Sequence, residues 1–273
     1  MNVPRTVLAS LIAAAVAGAV AVTALAGSAK IAPPANIVKA GKIVWCSDIE
    51  YPPFESYKGS TPVGADIDIA SGIAAAMGVK AEFKNVVFDS IIAGLLTKKC
   101  DAIVSAMNDT AERRKVVDFV DYLKVGQSLM VKKGNPKHIS TLGSLGGHVV
   151  SVQSGTTMRQ FLVAESARLA KQGKKSFAIK TFPKDTDAIS ALKAGRVDAY
   201  FADSPVVAYY VSKDASLQIA GSPISPLPYG LAIRKHDPLR GAVQRALNQL
   251  YASGAMKRIA AKWGVTKAVV FLK

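Results

Sequence analysis

The sequence predicts an α/β protein built as two lobes of similar design joined by a hinge, and three observations carry that reading. Short apolar runs alternate with stretches whose apolar residues recur at helical spacing, beginning with 42–47 and 66–77, which is the order of strand, helix, strand. Residues 95–106 (L-L-T-K-K-C-D-A-I-V-S-A) and 192–202 (L-K-A-G-R-V-D-A-Y-F-A) repeat one plan: helix end, tight turn, Asp-Ala, buried strand, polar stretch. The stiff segment 219–229, with Pro223, Pro226 and Pro228, reads as a crossing between lobes. If the last helices rejoin the first lobe the chain crosses twice, and two crossings make a hinge.

The 273 residues, half of them hydrophobic, suffice for one large or two modest cores. Residues 1–30 read as a secretory signal: Arg5 gives the positive start, 7–26 is unbrokenly apolar or small, and cleavage fits after Ala26 or Ala29. A run of ~20 residues is also long enough to stay uncleaved as a membrane anchor. No cysteine follows it, so a lipid anchor is unsupported. Residues 31–41, with Pro33-Pro34, are expected as a linker, 42–124 and 228–273 as the first lobe, and 125–227 as the second. Export places Cys46 and Cys100 in an oxidising compartment, where a disulfide and two free thiols both remain open. The formal charge of +16 favours anionic surfaces, but the lysines are scattered and no basic block is interleaved with aromatics, which argues against nucleic acid.

Taken in order, 42–47 is a strand ended by D-I-E-Y-P-P-F, where two prolines forbid ladder and helix and display Asp48, Glu50 and Tyr51 on a stiff loop. A helix over 66–77 stops at Gly78. Residues 81–87 form a strand, and Asp89 caps a helix to Lys98. The strand 102–106 then stops in small and polar residues that deliver Asn108, Thr110 and Arg113 to its C-terminal end, where open α/β sheets keep their ligands. The chain then passes 116–120 and 121–126 into a strand over 128–132, and another over 148–153 leads into Ser154-Gly155-Thr156-Thr157 at the head of a helix over 158–171. That junction suits an anion or is plain N-capping. Beyond it come a strand 179–182, a helix 187–194 and a strand 197–202. Ser204 caps a helix through Val211, 229–234 is a strand, Asp237 caps a helix to Ala252, and a last helix ends near Trp263.

The histidines are isolated, and no G-x-S-x-G, P-loop or G-x-G-x-x-G is present, so the sequence calls for no metal, no cofactor and no catalytic apparatus of those kinds. What remains is grip. Arg113, with Thr156, suits an α-carboxylate, because a planar guanidinium holds two oxygens at once; the alternative is a surface arginine paired with Glu112 or Asp118. Asp203 suits an α-ammonium, and Tyr51 and Phe88 suit the flanks of a side chain. Together they describe an amino acid held between two lobes.

These residues lie in motifs that resemble the family 3 extracellular solute-binding proteins, the exported amino-acid-binding components of ABC transporters. The carriers are D-x-x-Y-P-P-F-E (48–55), G-A-D-I-D-I-A (64–70), D-A-I-V-S-A-M and T-A-E-R-R-K-V-V-D-F (101–119), Q-S-G-T-T (153–157), A-G-R-V-D-A-Y-F-A-D-S-P (194–205) and P-Y-G-L-A-I-R-K (228–235). The resemblance implies a type II periplasmic-binding-protein (Venus flytrap) fold with hinge strands near 123–127 and 225–229. It further implies a periplasmic location, a monomer, and as partners an amino acid and a membrane permease with its cytoplasmic ATPase. By motif position Arg113 takes the carboxylate with Thr156 and the Asn108 N–H, and Asp203 takes the ammonium with the Ala106 carbonyl. Tyr51 and Phe88 sandwich the side chain, and Asp48 and Gln153 set its selectivity. Asn108 and Asp109 depart from the family pattern, which puts the carboxylate cradle in doubt, and Glu50 is unusual. Asp48 and Glu50 lean the ligand toward a basic amino acid. Two alternatives are an exported cyclohexadienyl dehydratase on the same scaffold, with Glu50 as general acid, and a module reporting ligand to a membrane sensor.

Overall fold

The computed structural model describes residues 31–272; the expected signal segment lies outside the described residues. Within the expected linker stands a short helix, α1 (Ala35–Ala40), which buries Ile37 and ends on the left-handed Gly41. The first lobe then runs β1 (Lys42–Ser47), a hairpin of β2 (Ser56–Lys58) and β3 (Thr61–Val63), α2 (Ala65–Ala76), β4 (Lys80–Asn85), α3 (Ile91–Leu96), β5 (Ala102–Ile103) and α4 (Ala111–Arg114). A long strand, β6 (Val117–Lys132), leads to β7 (Val149–Gln153), α5 (Thr157–Lys171), β8 (Ala178–Phe182), α6 (Asp185–Lys193), β9 (Ala199–Asp203) and α7 (Ser204–Lys213). A second long strand, β10 (Leu217–Arg234), returns to α8 (Leu239–Ala252), α9 (Ala255–Lys262) and β11 (Val269–Phe271).

All strands except the hairpin join one sheet in the order β4-β1-β5-β10-β6-β9-β7-β8, with β11 on β6. β1 pairs parallel with β4 and β5, and β7 parallel with β8 and β9, so each lobe has its own parallel unit. Between them β6 and β10 pair antiparallel from Lys132–Leu217 to Val117–Arg234, broken by register shifts around Ala220, Ile224, Leu227 and Tyr229. The two expected crossings are therefore single unbroken strands. Segments 117–120 and 128–132 belong to one strand, as do the crossing segment 219–229 and the strand 229–234.

Each half of the sheet is covered on both faces. In the first lobe Trp45, Phe54, Tyr122 and Tyr229 pack with α2 and α8 on one face, and Ile91, Leu95, Val117 and Phe119 form the other. In the second, Leu129, Val150, Leu162 and Phe201 fill one face, and Met130, Ile189, Tyr200 and Val207 the other. Each of these fully buried aliphatic or aromatic side chains contributes roughly 1.5–3 kcal/mol of transfer free energy. Cys46 on β1 and Cys100 just before β5 are joined as a disulfide with Cα atoms 5.6 Å apart, which decides between the two states the sequence left open.

Local expectations fail where tertiary contacts override the chain's own signals. The predicted strand 102–106 keeps its ladder only at Ala102 and Ile103, because the chain turns at Ala106, whose φ is +43°. Asp89 does not cap α3: a 3-10 turn over Phe88–Ser90 intervenes and Ser90 holds the cap position. Ser204 opens α7 as a helical residue, with Asp203 in the cap position before it. Asp237 does accept from the Leu239 N–H at 2.9 Å, although Pro238 holds the cap position of α8.

Candidate functional site

The C-terminal ends of β1, β5, β7 and β9 converge on the cleft between the lobes, where the chain leaves the ladder and its backbone groups become available. There a narrow cavity lies between the lobes, tightly shut in this conformation. Asp48, Tyr51, Glu55, Phe88, Ser105, Ala106 and Asn108 form its first-lobe wall, and Gln153, Thr156, Thr157, Met158 and Asp203 the second-lobe wall. Eight of the nine residues singled out in the sequence line it, all but Arg113.

The lobes meet across this cavity through polar contacts. Gln153 Nε2 donates to Asp48 Oδ2 at 2.6 Å and Thr157 Oγ1 to Asn108 Oδ1 at 2.5 Å. The Tyr51 hydroxyl donates to Asp203 Oδ2 at 2.9 Å and accepts from the Asp203 N–H at 3.2 Å. At the rim Glu50 accepts from Lys184 Nζ at 2.7 Å and Thr186 Oγ1 at 3.2 Å. The lobes are closed on each other.

Arg113 sits at the edge of the cavity. Its guanidinium donates to the Asn108 carbonyl at 2.7 Å and, from the opposite lobe, to the Gly155 carbonyl at 3.0 Å, with the Phe88 ring 5.4 Å beneath it. It pairs with neither Glu112 nor Asp118, so the surface reading fails. Burial lowers its pKa to about 10, opposed by the charges of Asp203 and Asp109, which leaves it cationic at neutral pH. Gly155 makes the approach of the lobes feasible. Its φ is +73°, and a Cβ there would stand 2.6 Å from Asp89 Oδ1 and 2.9 Å from the Asp89 Cα.

Asp203 is fully buried, with Gln127 Nε2 3.3 Å from Oδ1. Burial pushes its carboxyl up to about 6, opposed by the hydroxyls of Tyr229 and Tyr51, the Gln127 amide and the Arg113 charge. Asp48 is pushed up to about 6 by burial, opposed by the Gln153 amide and the Phe88 N–H. Behind this wall Asp185 accepts from the Tyr200 hydroxyl at 2.6 Å while its Oδ2 lacks a partner among the described residues, and burial pushes it up to about 8. The Thr156 hydroxyl caps α5, accepting from the Arg159 N–H and donating to the Gln153 carbonyl, so only its backbone faces a ligand.

The departures at 108 and 109 now have a geometric account. Asp109 turns out of the cavity to pair with the Arg114 guanidinium, 2.6 Å from Nε to Oδ1. Asn108 is held by Thr157, and its buried Nδ2 has no acceptor among the described residues, which makes it a donor beside Arg113. Sequence reasoning passed over Glu55, Ser105, Thr157 and Met158 as wall residues. Glu55 and Thr157 were already inside quoted motifs, and that was the available signal.

The profile of the bacterial extracellular solute-binding proteins, family 3, matches residues 43–266. Over 206 residues the chain is 34% identical to the ABC transporter glutamine-binding protein GlnH of Bacillus subtilis (strain 168), covering 73% of this chain and 72% of that one. Among solved structures, an ancestral arginine-binding protein bound to arginine is 37% identical with a TM-score of 0.75, covering 82% of this chain and 98% of that one. An ancestral amino acid-binding protein, a precursor of cyclohexadienyl dehydratase, is 35% identical with a TM-score of 0.76, covering 84% and 97%.

Proposed function

Because the chain belongs to the bacterial extracellular solute-binding proteins of family 3, we propose that it captures a polar L-amino acid, preferentially a basic one, in the periplasm after export through residues 1–30, and delivers it to an ABC-transporter permease. The observation that carries this reading is the cavity itself, with the Asp203 carboxylate in one wall and the Arg113 guanidinium with the Asn108 amide at the other side. Opposite charges fixed on opposite sides of one enclosed space match a zwitterion, whose burial is tolerable only when both ends are paired.

In this reading the N–H groups of Arg113 not used on Asn108 and Gly155 take the α-carboxylate with Asn108 and the Thr156 backbone. Asp203 and the Ala106 carbonyl take the α-ammonium, and Tyr51 holds Asp203 in place. Phe88 flanks the side chain, and Asp48 with Gln153 meets its far end. The basic preference follows from charge: Asp48 lines the cavity at that end, so a side-chain cation would find a carboxylate waiting. The protein acts as a monomer, with 42–124 and 228–273 as one lobe and 125–227 as the other.

The test is a thermal-shift panel of the exported protein against the amino acids, ornithine, citrulline and prephenate. A ligand at 100 times its dissociation constant adds about 2.7 kcal/mol, several degrees for a chain of this size. A shift confined to lysine, arginine and ornithine supports the reading in full. A shift with neutral amino acids alone removes the basic preference, and no shift with any amino acid removes the binding reading. The dehydratase alternative draws on the ancestral precursor, but its proposed acid, Glu50, lies at the rim on Lys184 and not in the cavity wall. Turnover of prephenate would reinstate it.

A further inference from the structure

Beneath the cavity lies a pair of carboxyls that ligand recognition does not use directly. Glu55 is fully buried yet lines the cavity, and Asp66, at the first turn of α2, is fully buried behind it. Glu55 bonds to Ser105 and Asp66 to the adjacent Ala106, which sets the two carboxyls side by side. Asp66 accepts from the Ala106 N–H at 2.7 Å and from the Tyr122 hydroxyl at 2.8 Å. Glu55 Oε1 accepts from Ser105 Oγ at 2.9 Å, and Ser105 Oγ in turn accepts from the Asp48 N–H at 2.9 Å. Glu55 Oε2 has no donor among the described residues.

Two buried carboxyls side by side strongly disfavour double ionisation. The groups facing them are Asp48 from the loop after β1, Asp203 from β9 and the Tyr122 phenol from β6, none of which supplies positive charge. Burial and the neighbouring acids push Glu55 well above the usual carboxylate range, and burial pushes Asp66 up to about 7. A single proton between Glu55 Oε2 and Asp66 satisfies both.

We propose that Glu55 and Asp66 share one proton under the cavity and act as positioning residues, Glu55 fixing Asp48 through Ser105 and Asp66 fixing Ala106 through its N–H. The proposal rests on the ligand-binding reading, in which Ala106 meets the α-ammonium and Asp48 the side chain. Its consequence is specific. Ala106 holds a left-handed φ of +43° that side-chain-bearing residues rarely adopt, and the Asp66 hydrogen bond to its N–H fixes that turn in the cavity wall. One protonated pair thus sets two ligand-facing groups about one another.

The experiment compares wild type, Glu55→Gln and Glu55→Ala by calorimetric titration with the amino acid that shifts the melting point most, and by infrared difference spectra of the ligand-free protein at pH 7. Gln keeps a donor toward Asp66 and an acceptor for Ser105, so affinity should stay within about threefold, whereas Ala should lose at least tenfold, or 1.4 kcal/mol. The protonated-carboxyl C=O band should lose one group in Glu55→Gln, measured in an Asp185→Asn background so that Asp185 does not contribute. An unchanged band, or Glu55→Ala binding like wild type, overturns the proposal. Should no amino acid bind wild type, the ligand reading fails while the infrared arm still decides whether the pair is protonated.

Discussion

At the scale of single residues, the cleft gathers charges that burial would expel were they not paired or protonated. Arg113 touches two backbone carbonyls from opposite lobes, so removing it should matter more to ligand than to fold. Arg113→Ala is expected to weaken amino-acid binding about 100-fold or more by titration calorimetry, since an unpaired partner of a buried charge costs roughly 2–5 kcal/mol. The ligand-free melting point should move only a few degrees; a collapse of apo stability would make Arg113 structural. The raised carboxyls set the pH response. Asp48 and Asp203 at about 6, Asp66 at about 7 and Asp185 at about 8 bind a proton more tightly folded than unfolded. Their contribution is therefore complete below about pH 4 and is lost as pH rises through each folded value. Ligand-free melting temperature should fall from pH 5 to pH 8.5, and Asp185→Asn, which has no proton to lose, should flatten the upper part of that fall. A parallel curve for the variant would sink the assignment to Asp185.

At the scale of elements, the loop before α5 and the turn before α3 meet face to face at Gly155 and Asp89. Gly155→Ala puts a methyl where Asp89 stands in the closed cleft and strains a left-handed residue as well. Affinity should drop at least tenfold, with open-cleft dimensions retained in X-ray scattering after ligand addition; normal compaction would refute the clash. The Cys46–Cys100 bridge spans 54 positions and ties the chain before β5 to β1. Loop-closure arithmetic assigns such a bridge on the order of 4 kcal/mol, so reduction should lower the melting temperature by roughly 10 °C, and an unchanged value would leave packing alone responsible. Much of this layer was legible from residue pattern, because the strand ends at Asp48, Asn108, Gln153 and Asp203 bring the expected residues to the cavity wall. The long central strands were not. Pro223, Pro226 and Pro228 read as a stiff crossing segment, yet β10 tolerates the prolines where the ladder to β6 shifts register. Glu55 escaped for a different reason: its role depends on who lies behind it, and Asp66 is eleven residues away in sequence but is brought beside it by their bonds to the adjacent Ser105 and Ala106.

At the scale of the whole molecule, closure is a balance of contacts made across the cleft. The rim pair of Glu50 and Lys184, with Thr186, forms outside the cavity wall and can act only on the closed state. Glu50→Gln should raise the ligand dissociation rate in stopped-flow measurements by about twofold to fivefold, the small effect of a solvent-screened pair, and should leave the amino-acid preference unchanged. A change in preference would move Glu50 into the selectivity end of the site. What the lobes move about is decided by β6 and β10, which run without interruption through both halves of one sheet. A pair of loops would swivel; two continuous strands that share a ladder bend and twist together, most freely where that ladder shifts register around Ile224 and Leu227. Relative motion of the lobes is thereby channelled into a flexing of the sheet they have in common.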